Sequence, residues 1–264
     1  MQELIQQALK SNSPQAMKLA FALLNNPLYR FHPRPNQSDQ YDEQESFVNE
    51  KIPQIACALG GNGCGKTISA SYKVSKFLLD TPPPEPNTPF WVLSQNMDMV
   101  TDVCWNQGLA QFINKDLIQD IVWFRQAKAQ PKSVVLKKHS NGNNYVIELK
   151  SYDMERKALQ GANIIGFWAD EQAPQGVLRE VLARTRKWSY AGSKLYTLTP
   201  LQPDTDPENL QYIFENQHKY PSWKFYRMNT RLNTTLDKEF VKLIDLSLIP
   251  SRFQHFHRAQ ELLD

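Results

Sequence analysis

Hydrophobic residues along this chain fall into two alternating rhythms: short unbroken runs, and longer stretches in which apolar positions return every three or four residues. QIACALG at 54–60 is an apolar run of strand length, and ISASYKVSKFLL at 68–79 follows it with helical spacing. PFWVLS at 89–94 and MDMVTDVCWNQGLAQFI at 97–113 repeat that order. Alternation of strand and helix predicts a parallel sheet with helices on both faces. SVVLKK at 133–138 and NYVIELK at 144–150 flank Asn141-Gly142, a strong turn signal, and predict an antiparallel hairpin. NIIGFWAD at 163–170, KLYTLTP at 194–200 and WKFYRMN at 223–229 predict three more strands, with helices near 175–187 and 207–217 between them. Residues 2–10 and 14–25 show amphipathic helical spacing, with Ser13-Pro14 as a cap, and define a helical arm over residues 1–30. FHPRPNQSDQ at 31–40 reads as a proline-punctuated loop entering a helix through about Phe47, and TPPPEPNTP at 81–89 as a rigid loop. From about 236 the spacing is helical again, so residues 31–229 form the core and 230–264 a helical lid or linker. No internal repeat is visible.

Composition keeps this picture among ordinary globular proteins. The 264 residues are 41% hydrophobic, enough for one large or two small domains with a substantial core. The formal charge of +3 is the small difference between 30 basic and 27 acidic side chains, so any contact with nucleic acid must come from local patches. MQELIQQALKSNSP has neither the basic nor the apolar region of a signal peptide, and no stretch approaches the ~20 apolar residues of a membrane span. The expectation is a soluble intracellular protein without a membrane partner.

The chemistry begins at GGNGCGKT, residues 60–67. This is a complete phosphate-binding P-loop of Gly60, Gly61, Asn62, Gly63, Cys64, Gly65, Lys66 and Thr67. Its glycines let the backbone turn so that successive N–H groups point at phosphate oxygens. Lys66 can reach the β/γ-phosphates and the Thr67 hydroxyl can ligate Mg²⁺. The strand before it and the helix after it supply the order the motif requires. A glycine-rich turn without a ligand is the plain alternative. Cys57, Cys64 and Cys104 are odd in number, and a disulfide beside the loop would obstruct phosphate, so a reducing compartment is expected. Cys64 itself reads as a small tolerated residue or, if exposed at a helix N-terminus, as a reactive thiol.

An ATPase also needs a carboxylate near Mg²⁺ and a group that orients the attacking water. NIIGFWA delivers Asp170 and Glu171 to the end of a strand, where Asp170 can serve the metal and Glu171 the water. A solvated acidic turn would look the same in isolation. Arg156 stands just before that strand, in SYDMERKALQG at 151–161. An arginine there can stabilise charge on a transferred phosphoryl group, in cis or from a neighbouring subunit, or can simply be a surface residue beside Glu155.

The assembled set resembles the large terminase subunits of tailed bacteriophages, ATPase motors that pump DNA into capsids. HPRPNQ at 32–37 looks like that family's adenine-contacting loop and nominates Gln37. GGNGCGKT is similar to its GGNRSGKT. SYDMERKALQG followed by IIGFWADEQAP resembles its trans-acting arginine segment and Walker B, which gives roles to Arg156, Asp170 and Glu171. LYTLTPL at 195–201 looks like its coupling motif, in which Thr199 senses the γ-phosphate. The resemblance implies an α/β P-loop NTPase fold of the ASCE/RecA-like type, with a mainly parallel central sheet flanked by helices. It further implies ATP and Mg²⁺ as cofactors, and double-stranded DNA, a capsid portal protein and a small terminase subunit as partners. A homo-oligomeric ring in the infected bacterial cytoplasm would be the active form, and a monomer the isolated one. One departure stands out: the arginine often found inside the family's loop corresponds here to Gly63. The family's nuclease domain has no counterpart in the residues after the last strand, so the chain reads either as the ATPase domain alone or as a motor whose cleavage is done by another polypeptide.

Two other function classes fit parts of the pattern: a helicase-like remodelling ATPase, which would need a second motor domain, and a nucleotide-gated scaffold that holds ATP without turnover. Candidate DNA-phosphate contacts are Lys128, Lys132, Lys137 and Lys138 around the hairpin, and Arg179, Arg184, Arg186 and Lys187 on the helix after Glu171. A charge run of this kind is usually just a solvated face. Arg184 is in addition a candidate for contacting nucleotide. The five histidines lack metal-site spacing, so zinc is not expected.

Overall fold

The computed structural model describes residues 6, 10–11, 13–40, 42–51, 55–124, 127–154, 159–189, 191–199, 223–239 and 241. Helices α1 (Pro14–Asn25), α2 (Pro27–Arg30) and α3 (Gln44–Asn49) precede the first strand. Strand β1 (Ile55–Gly60) then runs through the P-loop into α4 (Lys66–Asp80), the order the sequence predicts. Strand β2 (Thr88–Ser94) leads into α5, which is built from Met97–Met99, a π-helical stretch Val100–Leu109 and Ala110–Phe112. After it come β3 (Ile118–Phe124), β4 (Ala127–Leu136), β5 (Tyr145–Ser151), β6 (Gly166–Asp170), α6 (Gln175–Arg184), β7 (Lys194–Leu198) and β8 (Trp223–Met228). The expected helices at 2–10 and 207–217, and nearly all of the C-terminal helical tail, lie outside the described residues.

The strands form one sheet in the order β3-β4-β5-β2-β6-β7-β1-β8. From β5 to β8 every pairing is parallel, and only β3 and β4 run against their neighbours. The mainly parallel sheet and the antiparallel β4–β5 hairpin therefore stand as predicted. Strand β3 is an addition. Its residues, IQDIVWF, show no two-residue alternation because this edge strand is half-exposed along its length.

Period-two alternation on the inner strands sends their residues into two separate cores. Ala56, Ala58, Phe90, Val92, Trp168 and Leu195 pack with α3, α4 and α5 on one face. Cys57, Leu59, Trp91, Leu93, Phe167, Ala169, Tyr196 and Leu198 pack with Leu178 and Val181 of α6 on the other. Helices thus cover both faces. Because β7 lies between β1 and β6, the carboxyl ends of these three strands sit side by side, where ligands of open α/β sheets bind.

Winding in α5 departs from the ordinary α-helix expected over 97–113. Its buried positions are Val100, Thr101, Cys104, Trp105, Gly108 and Leu109, a repeat of four residues. An α-helix would rotate such a repeat by about 40° per step off the core.

Candidate nucleotide site

The P-loop leaves β1 at Gly60 and closes on α4 at Lys66, with Gly63 and Gly65 at φ of 76° and 95°. Only glycine adopts such angles without strain. Packing adds a second constraint at Gly65, where a Cβ would come within 2.9 Å of the Gln44 amide nitrogen. The first turn of α4 begins at Lys66 and Thr67, so its backbone N–H groups and the helix dipole face the loop, a ready anion site.

The Lys66 ammonium donates to the carbonyls of Gly60 at 2.8 Å and Gly61 at 3.2 Å, and to Thr199 Oγ1 at 3.0 Å. The Thr199 hydroxyl and backbone N–H in turn each donate to Glu171, both at 3.0 Å. Residues from three strand ends are thereby joined in one polar chain. Glu171 has a φ of 59°, unusual for a side chain that is not glycine, and its backbone N–H donates to the Thr197 carbonyl at 2.7 Å.

Asp170 is buried under this chain. Its Oδ1 accepts from the Thr197 hydroxyl at 2.5 Å, and Thr197 Oγ1 accepts from the Trp168 indole at 2.8 Å. The Cys104 thiol of α5 lies beside Asp170 and favours its charged form. Burial first, then the neighbouring Glu171 charge, push the Asp170 carboxyl up to about 6, against the Thr197 hydrogen bond and Lys66. The Cys104 thiol is pushed well up by burial and by the carboxylate beside it. Tyr152 holds the turn from below, with its hydroxyl 2.8 Å from the Asp170 carbonyl and 3.1 Å from that of Glu171.

A second set of contacts grips the loop from outside. Arg34 donates to the Cys64 carbonyl at 2.9 Å while its Nε and Nη2 pair with Asp42 at 2.6 and 2.9 Å. Gln44 accepts from the Arg34 backbone at 2.7 Å and donates to Ser69 at 2.7 Å. After β8, Thr230 donates to the Asn62 carbonyl at 3.1 Å and Asn233 to that of Gly63 at 2.6 Å. Sequence reasoning passes over all of these. Arg34 stands inside the HPRPNQ segment, which nominates only Gln37. Nothing local marks Thr230 or Asn233, which reach the loop only through the β1–β8 pairing.

Lys66, Thr67, Asp170, Glu171 and Thr199 are thus gathered at one edge of the sheet. Gln37 lies on the strap before α3, where its backbone exchanges hydrogen bonds with Asp42 at 2.8 and 3.0 Å. Arg156 and the side chain of Lys128 lie outside the described residues. Cys64 is fully buried and burial raises its thiol, which leaves the reading as a small structural residue and removes the reactive one. Lys132, Lys137, Lys138, Arg179 and Arg186 are exposed. Arg184 is drawn into an ion pair with Glu180, and Lys187 pairs with Glu85 at 2.6 Å and lies over the Trp188 ring. Among the described residues no helix is long and apolar enough to cross a membrane.

The family model described as terminase large subunit, T4likevirus-type, N-terminal, matches residues 57–258. The terminase large subunit of Salmonella phage P22 is 24% identical over 214 residues, covering 68% of this chain and 41% of that protein. Among solved structures, the large terminase of a thermophilic bacteriophage in complex with ATP-gamma-S aligns with a TM-score of 0.58 at 15% identity, over 81% of this chain and 51% of that one. The large terminase ATPase domain of Thermus phage P74-26 aligns with a TM-score of 0.56 at 15% identity, over 84% of this chain and 91% of that one. These likenesses carry the fold, a P-loop sheet of the kind the sequence predicts. The chain spans 41% of the P22 protein and about half of the terminase solved with ATP-gamma-S.

Proposed function

The chain belongs to the family of T4likevirus-type terminase large subunits, N-terminal part, and from that membership we propose that it hydrolyses ATP to drive double-stranded DNA into a viral procapsid. The observation that carries this reading is the polar chain from Lys66 through Thr199 to Glu171, which links the phosphate cradle to the acidic pair across three strand ends. In the proposed cycle the β- and γ-phosphates of ATP lie on the N–H groups of residues 60–67 and compete for the Lys66 ammonium. Its bond to the Thr199 hydroxyl then yields to phosphate. Thr199 is the coupling residue because the same hydroxyl also holds Glu171, which is thereby released to orient and deprotonate the attacking water. Gln37 is assigned to adenine, and Arg156, in cis or in trans, to the charge developing on the γ-phosphoryl group.

The donor set suits Mg²⁺. Thr67 and Asp170 offer hard oxygen ligands, and burial, then the Glu171 charge, raises the Asp170 carboxyl, an environment that a cation would relieve. Among the described residues no cluster of three or more His, Cys, Asp or Glu forms a closed cage. That fits a cation completed by substrate phosphates and water. Held by Thr67 and Asp170, Mg²⁺ would supply positive charge that offsets the charge of the phosphate groups.

DNA, a portal protein and a small terminase subunit are the proposed partners, in a ring within the infected host's cytoplasm; the arm at 1–30 and the segment 230–264 are proposed to flank the ATPase core. Glu171→Gln should bind MgATP as the parent does and lose turnover by at least ~10²-fold, the usual contribution of a positioned base. Steady-state hydrolysis with portal and DNA checks this. Equal turnover in both proteins removes the proposal.

A further inference from the structure

We propose that Trp168 and Thr197 are positioning residues that fix the Asp170 carboxylate for metal binding, an inference that rests on the assignment of Asp170 to Mg²⁺. The arrangement is dictated by the sheet. Thr197 and Asp170 are direct partners in the β6–β7 register, and Trp168, two residues before Asp170, lies on the same face. Its indole therefore reaches diagonally to Thr197.

Donor and acceptor roles in this chain are forced. An indole N–H only donates, so at 2.8 Å from Trp168 the Thr197 oxygen must accept. An ionised carboxylate only accepts, so the one hydroxyl proton of Thr197 goes to Asp170 Oδ1 at 2.5 Å. The indole N–H on one lone pair of Thr197 fixes where that oxygen sits, and so where its proton is delivered. Trp168 and Thr197 are 0% exposed and Asp170 is 3% exposed, so bulk water does not compete for these bonds. Oδ1 is thus committed inside the protein, and the carboxylate is held in one rotamer.

Trp91, on the neighbouring strand β2, packs in the other core with the Lys150 ammonium 4.7 Å from its ring centroid. It is equally buried, yet its indole nitrogen finds no hydrogen-bond partner among the described residues. Trp91→Phe is therefore the matched control for Trp168→Phe.

The test uses the full chain and two readouts: the Mg²⁺ concentration for half-maximal ATP hydrolysis, and the affinity for a fluorescent ATP analogue in Mg²⁺ and in EDTA. Trp168→Phe should raise the half-maximal Mg²⁺ by ~3- to 10-fold, as expected for one lost hydrogen bond. Thr197→Val should raise it by ~10- to 100-fold, the range for residues that orient a metal ligand. Thr197→Ser should restore the parent value, Trp91→Phe should not move it, and affinity in EDTA should stay constant throughout. The positioning role is overturned if Trp168→Phe and Thr197→Val behave like Trp91→Phe while Asp170→Asn shifts the Mg²⁺ dependence. If Asp170→Asn leaves it unmoved as well, the metal assignment itself is wrong and the inference falls with it. Should Trp168→Phe fail to fold, Thr197→Val against Thr197→Ser decides the matter.

Discussion

At the scale of single residues, the site stores unfavourable energy in two adjacent carboxylates. Glu171 sits in the left-handed region at φ 59°, a conformation that costs a residue other than glycine ~1–3 kcal/mol. The two hydrogen bonds from Thr199 hold it there. Asp170 is destabilised differently, by loss of hydration, and its carboxyl rises from 3.8 to about 6. The folded protein therefore binds more protons than the unfolded chain between these values. By linkage, stability contributed at this group falls as pH rises through that window and is level above it. Asp170→Asn removes the ionisation while keeping an acceptor for Thr197. Relative to the parent, it should gain stability on the order of 2 kcal/mol between pH 4.5 and 7.5. Denaturant unfolding without nucleotide at the two pH values measures this, and an equal effect at both would contradict it.

At the scale of elements, α5 meets α4 through a glycine contact. A Cβ on Gly108 would lie 2.4 Å from Ser71 Oγ and 3.1 Å from the Val103 carbonyl, but 3.5 Å from Ser71 Cβ, an ordinary contact. Ser71 Oγ is buried and has no hydrogen-bond partner among the described residues, so its removal sacrifices no bond. Gly108→Ala should cost ~1–3 kcal/mol by overpacking, and Ser71→Ala should recover most of that loss. A double-mutant cycle in thermal or chemical unfolding reads the coupling, and strict additivity would refute it. This contact also illustrates what the sequence made legible. Strands β1, β2, β6 and β7 were visible because burial on both faces demands apolar runs, β8 through the apolar residues around Lys224 and Arg227, and the P-loop and acidic pair because phosphate chemistry demands particular residues. The π winding was less so, although its four-residue repeat of buried positions was present to be read. Strand β3 was missed because half-exposure erased its periodicity. Arg34, Thr230 and Asn233 were missed because their contacts with the P-loop join segments far apart in sequence, and no local pattern encodes them.

At the scale of the molecule, the direction of the strands decides where the proposed DNA partner would be held relative to the proposed nucleotide. The carboxyl ends of β1, β6 and β7 carry Lys66, Glu171 and Thr199. Strand β4 runs antiparallel to β5, so Lys137 and Lys138, just past its end, lie at the opposite edge. Helix α6 leaves the carboxyl edge and returns, bringing Arg186 and Lys187 to that same far side, where Lys187 meets Glu85 ahead of β2. Strands here are five to seven residues long across the parallel region, which sets the two edges about 20 Å apart. If the basic residues grip DNA, force must cross the sheet, and β7 joins the two edges beside both carboxylates. The two clusters are not equivalent, because Lys187 is engaged with Glu85 and Trp188 whereas Lys137 and Lys138 are exposed and take part in no ion pair among the described residues. Lys137→Ala with Lys138→Ala should therefore weaken duplex DNA binding uniformly across sequences and lower the salt slope by about 2, one unit per lost phosphate contact. Lys187→Ala should lower it by less than one. Binding isotherms at several salt concentrations give both slopes. Equal slopes for parent and double variant would place any DNA contact off this edge and toward the carboxyl side, where β4 begins at Ala127.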